Sequence, residues 1–314
     1  MEGGALRSSE TCQPPFWEQT TVALRRIVMS KRIELSNRIA MIKEGSHPKQ
    51  HQPCLDGDPL AGSPPARSRS TFYVLRSTLL LAFLLVSCNQ PQIQPLTFAS
   101  TPWGAGEVSE YQITDVNGQP AGTARFTIER GESQQNGDGW SIRREIAAQG
   151  TTEVVTVEMN NGLRPITSTL VRTGGLQRVQ ESVKASYDSG QVDMELTTAQ
   201  NVTTYQRVNI TSDARDGWVL LPVVRALPLA ERYATRINSF VPILGRLETF
   251  TVAVVGGEQV AVPAGTFAAY KVELSARDHK TTAWFTQDAP HVLIKYVDGR
   301  NRGTFELTEF QPGE

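Results

Sequence analysis

From Glu107 onward, apolar and polar residues alternate with a period of two, segment after segment, and nothing else in the chain constrains its fold so strongly. Tyr111 and Ile113 alternate with Gln112 and Thr114, and Ala124, Phe126 and Ile128 alternate with Arg125, Thr127 and Glu129. Trp140, Ile142 and Ile146 share one parity against Ser141, Arg143 and Glu145. The pattern returns at Val155-Val157-Met159, Val192-Met194-Leu196, Phe250-Val252-Val254, Tyr270-Val272-Leu274, Val292-Ile294-Tyr296 and Phe305-Leu307. Successive strand side chains point to opposite faces, so each segment offers one apolar and one wetted face. That is the mark of antiparallel sheet covered on one side; parallel strands buried on both sides read as continuous apolar runs. Asn117-Gly118, Asn161-Gly162, Gly174-Gly175, Ser189-Gly190, Gly256-Gly257 and Asp298-Gly299 punctuate the runs as hairpin dipeptides. Pro-Ala-Gly-Thr occurs at Pro120 and at Pro263, a strand-opening turn used twice rather than a repeat. The expected fold over residues 107–312 is all-β and mainly antiparallel, a meander, sandwich or barrel.

Trp218–Leu229 (WVLLPVVRALPL) breaks the alternation, being almost continuously apolar. Asp216 is placed to cap a helix, and Pro222 is tolerated in a first turn although it would cost about 3 kcal/mol in a helix interior. A short apolar helix starting near Leu221 is expected to pack on the sheet, presenting Trp218, Leu221, Val224 and Leu227 as core residues or as a ligand lid. An apolar strand is disfavoured by two prolines in twelve residues.

Composition narrows the function classes. The chain of 314 residues has 31 Lys plus Arg against 32 Asp plus Glu, so it has no basic excess to neutralise phosphates and no nucleic-acid partner is expected. Three Cys and four His are too few and too scattered for a disulfide framework or a closed zinc site, and no metal or cofactor is expected. No phosphate-cradling Gly-rich loop, HExxH or GxSxG elbow occurs.

The longest apolar run, Leu79–Val86 (LLLAFLLV), is far short of the roughly 20 residues a spanning helix needs. Arg67, Arg69 and Arg76 lie on its N-terminal side and Leu85-Val86-Ser87-Cys88 closes it. A basic flank, a short apolar stretch and a small residue make up a secretory signal, here residues 74–87. The closing tetrapeptide resembles a bacterial lipobox, with Leu85, Val86 and Ser87 read by signal peptidase. The resemblance implies that Cys88 carries a diacylglyceryl thioether and becomes the mature N-terminus. It also implies an exported chain held on a bacterial membrane, either the outer face of the cytoplasmic membrane or the outer membrane. Two acyl chains anchor stably where one is marginal. A buried helix followed by a chance Cys, or an uncleaved anchor, is the alternative.

Residues 1–73 are rich in Pro, Gly, Ser and charge, and are expected to be disordered or outside the natural product, apart from an amphipathic stretch over 22–42. No Met lies between Met41 and Met159, so translation is expected to begin at an alternative codon such as that of Val74; a cytoplasmic extension before a signal anchor is the alternative. Residues 88–106, with their Gln, Pro and small residues, read as a flexible tether.

Arg225-Ala226-Leu227-Pro228-Leu229, Gly257-Glu258, Val262-Pro263-Ala264-Gly265-Thr266-Phe267, Trp284-Phe285 with Asp288 and Pro290, and Gly303-Thr304-Phe305-Glu306-Leu307 follow one another in an order similar to a family of bacterial envelope proteins known as domain of unknown function 3108. The resemblance covers about residues 216–310. It implies a curved sheet or partial barrel, mostly antiparallel, with the short apolar helix packed on it, and brings no catalytic residues; more distantly it is similar to carriers of lipoproteins or lipids.

Asp278-His279 and Asp288 with His291 are the only residues suggesting a metal or acid–base site, and both histidines are expected to face water. Glu145, Glu153 and Glu158 read as solvated strand faces. Arg144 stands out because it shares the parity of Trp140 and Ile142, which makes it a paired core charge, a ligand contact or part of an exposed edge strand. The function expected is a lipid-anchored, non-enzymatic binding or scaffolding domain of the envelope. A carrier of an acyl chain or lipid in a half-barrel cavity is the alternative, and an enzyme without a recognisable motif is a weaker one.

Overall fold

The computed structural model describes residues 92–131, 139–174, 179–300 and 303–314. The expected extension, the signal residues Leu85, Val86 and Ser87, and Cys88 lie outside the described residues. Among the described residues sixteen strands form one sheet. They are β1 (Ile93–Gln94), β2 (Glu107–Thr114), β3 (Pro120–Gly131), β4 (Gly139–Ala148), β5 (Thr151–Asn160), β6 (Pro165–Gly174), β7 (Val179–Asp188), β8 (Gln191–Thr197), β9 (Thr203–Asn209), β10 (Arg215–Asp216), β11 (Ala234–Val241), β12 (Arg246–Val262), β13 (Gly265–Ser275), β14 (Lys280–Thr286), β15 (Leu293–Val297) and β16 (Thr304–Gln311). A six-residue helix, α1 (Leu220–Arg225), lies between β10 and β11.

Two antiparallel meanders, β2 to β9 and β11 to β16, are joined where β16 pairs with β2 (Phe305 opposite Ile113). The outer edge of β11 is covered by two short parallel strands, β1 at Ala234 and β10 at Ser239. The sheet does not close by hydrogen bonds. It rolls until Phe240 of β11 packs on Ala185, Val192 and Met194 from the inner face of β7 and β8. The Tyr187 hydroxyl donates to Asp216 across the same overlap at 2.5 Å.

Period two maps onto the burial of each strand, as in β2, where Tyr111 and Ile113 face in and Gln112 and Thr114 are only half-buried. Gly118, Gly174 and Gly190 have positive φ at or beside the turns where the hairpin dipeptides fall, a region open to Gly at no steric cost. Gly256-Gly257 is different. It lies inside β12, beside the register shift between Val254 and Gly256, so the pair serves a bulge in a long strand and not a turn.

Asp216 caps as expected: its carboxylate accepts from the Trp218 backbone N–H at 2.8 Å, opening a 3-10 turn that runs into α1. Pro222 sits in the first turn of α1, where its missing N–H has no intrahelical partner to lose. The helix does more than rest on the sheet. Leu220, Val224 and Leu227 join the cluster of Tyr111, Phe250, Phe285 and Phe305. Trp218, Val219, Val223 and Ala226 join that of Trp140, Ile142, Val157 and Trp103. A helix apolar on all sides is a core element, and α1 plugs the interior.

The segment before β2 is also part of this body. Ile93 and Gln94 pair with β11, Leu96 and Phe98 pack on the core, the Ala99 N–H donates to the Ala226 carbonyl at 2.8 Å, and Trp103 is buried. From Ile93 onward the chain is therefore not the flexible tether expected over residues 88–106. Three apolar anchors among the Gln and Pro residues hold the chain down.

Candidate functional site

At one end of the rolled sheet a cavity of about 160 Å³ remains between the plug and the strands. Its apolar wall comes from Phe126, Ile146, Trp218, Leu221, Phe250 and Phe305, and its polar rim from Arg144, Glu248, His279, Asp298 and Arg300. Of the four helix-segment residues singled out in the sequence, Trp218 and Leu221 line this cavity, whereas Val224 and Leu227 are buried in the core behind them.

Glu248 is the centre of the rim. Its side chain is 8% exposed, yet it shares the parity of Phe250 and Val252 and so points inward. Arg246 Nε donates to Oε1 at 2.6 Å, and Arg300 Nη2 approaches Oε2 at 3.4 Å. His279 is 10% exposed at its side chain, with the ring edge-on to Phe250 at 5.5 Å. Its Nδ1 lies 2.9 Å from Asp278 Oδ1 and its Nε2 lies 4.0 Å from Glu248 Oε2. The bond to His279, helped by the Arg246 charge, holds the Asp278 carboxyl below its ordinary range. His279 is thus an enclosed rim residue and not the solvated turn residue expected. A turn that folds back over Phe250 encloses its ring.

Arg144 forms the facing wall. Strand β4 is central, paired on both sides by β3 and β5, which removes the exposed-edge explanation. Arg144 Nη2 donates to Glu153 Oε1 at 2.7 Å, and Arg172 Nη2 donates to the other oxygen of the same carboxylate at 2.7 Å. Arg172 also reaches Glu181 at 3.4 Å. Glu153 is therefore buried and not solvated; it lies on the parity of Val155 and Val157 and balances two arginines. The Arg144 Nε–H is buried without a hydrogen-bond partner.

A second internal charge pair fixes the plug. Arg225 at the end of α1 is 4% exposed at its side chain and Glu107 at the start of β2 is 3% exposed. Arg225 Nη1 and Nη2 donate to the two oxygens of Glu107 at 2.5 and 3.1 Å, the bidentate geometry suited to a guanidinium. Arg225 Nε also donates to the His291 carbonyl at 3.1 Å. His291 lies before β15, in a turn at positive φ, with Nδ1 2.9 Å from the Thr286 carbonyl oxygen. It is half-buried and bound to backbone, not placed in water on a strand face. Asp288 is in the same turn, and its backbone carbonyl accepts from the Thr286 hydroxyl at 2.9 Å. Among the described residues no group of three or more His, Cys, Asp or Glu could hold a metal ion.

Glu107, Glu248 and Arg225 were not singled out by sequence reasoning, although Glu107 and Glu248 carried a usable signal. A charge on the apolar parity of a strand is anomalous, as Arg144 is, and each proves to be paired inside.

Fold and site define a rolled, unclosed antiparallel barrel, filled by its own helix, with a small polar-rimmed cavity at one end. A family model described as a protein of unknown function, DUF3108, matches residues 110–308, and the chain belongs to this family. The match takes in the N-terminal strands, beyond the stretch from residue 216 that carried the resemblance in the sequence. Among solved structures, a β-barrel-like protein of domain of unknown function DUF1849 from Brucella abortus is similar at 12% identity, with a TM-score of 0.44, covering 68% of this chain and 99% of that one. A protein from Bacteroides fragilis, described as exported and with a YmcC-like fold, is similar at 9% identity and a TM-score of 0.25, covering 68% of this chain and 100% of that one. One from Parabacteroides distasonis, described as a lipoprotein, has 11% identity and a TM-score of 0.27, with the same coverages. No curated protein gives a significant match.

Proposed function

We propose that this chain is a bacterial envelope lipoprotein, acylated on Cys88, whose domain is a non-enzymatic binding module with the rim cavity as its recognition site. The short apolar run closing on Leu85-Val86-Ser87-Cys88 supports export and anchoring. The observation that favours a binding module over a carrier is the state of α1: of its six residues Leu221 alone is half-buried, where it lines the cavity, the other five are buried, and Arg225 pins the helix to Glu107. A lid would need a weak hold, and α1 is held on both counts. The 160 Å³ of the rim cavity suits one ring-sized group, since a cavity of about 150 Å³ binds benzene, and falls below the roughly 300–1,000 Å³ of sites for larger ligands. His279 is engaged by Asp278 and faces a carboxylate already held by two arginines, which builds a rigid rim and activates no nucleophile.

Two measurements test this reading. Globomycin is expected to leave the precursor unprocessed, and mass spectrometry to find acyl chains on Cys88; a Cys88 without acyl chains overturns the anchoring. Native mass spectrometry of the mature protein, before and after organic extraction, is expected to find no long-chain lipid inside the domain. A stoichiometric acyl ligand would establish the carrier instead.

A further inference from the structure

Of the two borders of the sheet, one is covered and the other is not. The outer side of β11 carries β1 and β10. The far border is β9, and among the described residues no strand pairs with its outer side. The Thr198 N–H donates to the Val202 carbonyl at 3.0 Å and the Ile210 N–H to the Gly190 carbonyl at 2.9 Å, so even-numbered residues bond β8. Hydrogen-bonded pairs alternate along an antiparallel ladder, which turns the N–H and C=O groups of Thr203, Tyr205, Arg207 and Asn209 outward. Sheet borders are ordinarily guarded by Pro, Lys, a bulge or an inward charge. Strand β9 has no Pro or Lys and pairs with β8 without a register shift. Its one charge, Arg207, is neutralised by Asp193 at 2.5 and 2.7 Å, and Tyr205 beside it is 79% exposed.

We propose that a second copy of this chain adds to β9, antiparallel, about a twofold axis at Gln206. That register overlays the whole strand and bonds every outward group, Thr203 with Asn209 and Tyr205 with Arg207, each twice by symmetry. Any other axis shortens the ladder, and one at Arg207 would set two guanidinium groups face to face. The side chains suit their own reversed order, and this argues for a second copy over an unrelated strand. Tyr205 meets the guanidinium of Arg207, Thr204 meets Val208, and just past the strand ends the exposed Val202 meets the half-buried Ile210. No like charges are opposed.

The test is disulfide trapping in the full chain, purified in detergent. Opposite residues of a pair that exchanges no hydrogen bonds have Cα atoms about 4.5 Å apart, within disulfide reach. Gln206→Cys is therefore expected to link to itself between copies on mild oxidation, read by mass spectrometry as two joined position-206 peptides. Links through Cys12, Cys54 or Cys88 fall in other peptides. Thr204→Cys or Val208→Cys alone would lie about 14 Å from its own counterpart and should self-link at least about fivefold less, whereas the two mixed should link to each other. Tyr205→Lys alters an exposed side chain and sets a like charge opposite Arg207. It should cut the Gln206→Cys link at least about threefold while leaving the urea midpoint unchanged. Equal self-linking at 204, 206 and 208, no link at 206, or a link undiminished by Tyr205→Lys overturns the proposal.

Discussion

Glu107→Gln is the most informative single change. It keeps the shape of the side chain and removes the charge facing Arg225, leaving a guanidinium that is 4% exposed without its counter-ion. Removing one partner of a buried pair costs about 3–5 kcal/mol, because the remaining charge stays desolvated. The carbonyl of His291, still bonded to Arg225 Nε, offsets part of this and argues for the lower half of that range. In a domain of this size each kcal/mol lowers Tm by roughly 2–4 °C, so a fall of about 6–16 °C is expected. Urea unfolding of the mature protein, followed by tryptophan fluorescence, should show a lower midpoint at unchanged slope. The companion Glu107→Leu/Arg225→Met variant replaces the pair by apolar groups and should recover most of the loss. A loss under about 1 kcal/mol in the single variant would refute the claim that this pair pins the plug.

Burial raises the phenols of Tyr111 and Tyr187 above their ordinary value near 10, and for Tyr187 the neighbouring Asp216 charge adds to it. Above that pH the unfolded chain ionises first and holds fewer protons, so stability should fall with rising pH by about 1.4 kcal/mol per pH unit for each tyrosine. Tyr111→Phe and Tyr187→Phe should each flatten the slope of an alkaline urea titration, and an unchanged slope would count against their burial. Leu227→Ala, at 1% exposure in the plug segment, should cost about 2–5 kcal/mol in the same assay. Gly303→Ala would press a methyl into the Thr114 carbonyl at a φ of +106°, and should lower stability by at least about 2 kcal/mol; a neutral result would mean that the entry to β16 yields to a side chain.

Strand positions were legible because a half-covered sheet imposes period two directly on the chain, and the helix was legible because Asp216, Pro222 and the apolar run agreed. Gly256-Gly257 misled because a Gly pair serves a bulge as well as a turn, and only the Lys271 and Tyr270 partners across the ladder tell them apart. The tether misled through its Gln and Pro residues; Leu96, Phe98 and Trp103 were the countervailing sign. Arg144 stood out as a parity anomaly; Glu107, Glu153 and Glu248 carry the same mark but were not recognised by it, and no local pattern showed their partners. Glu107 meets Arg225 across 118 positions, a distance that no local pattern encodes. The cavity is the least legible feature, since it is the space left where α1 and eight strands fail to meet.

The seam between β16 and β2 unites segments as far apart as Gln112 and Glu306, 194 positions along the chain. Each meander can zip hairpin by hairpin as it emerges, yet the body stays open along that line until the final strand arrives. Such distant pairing makes maturation slow. A chain lacking β16 would present two raw strand borders, on β15 and β2, to any neighbour able to pair with them.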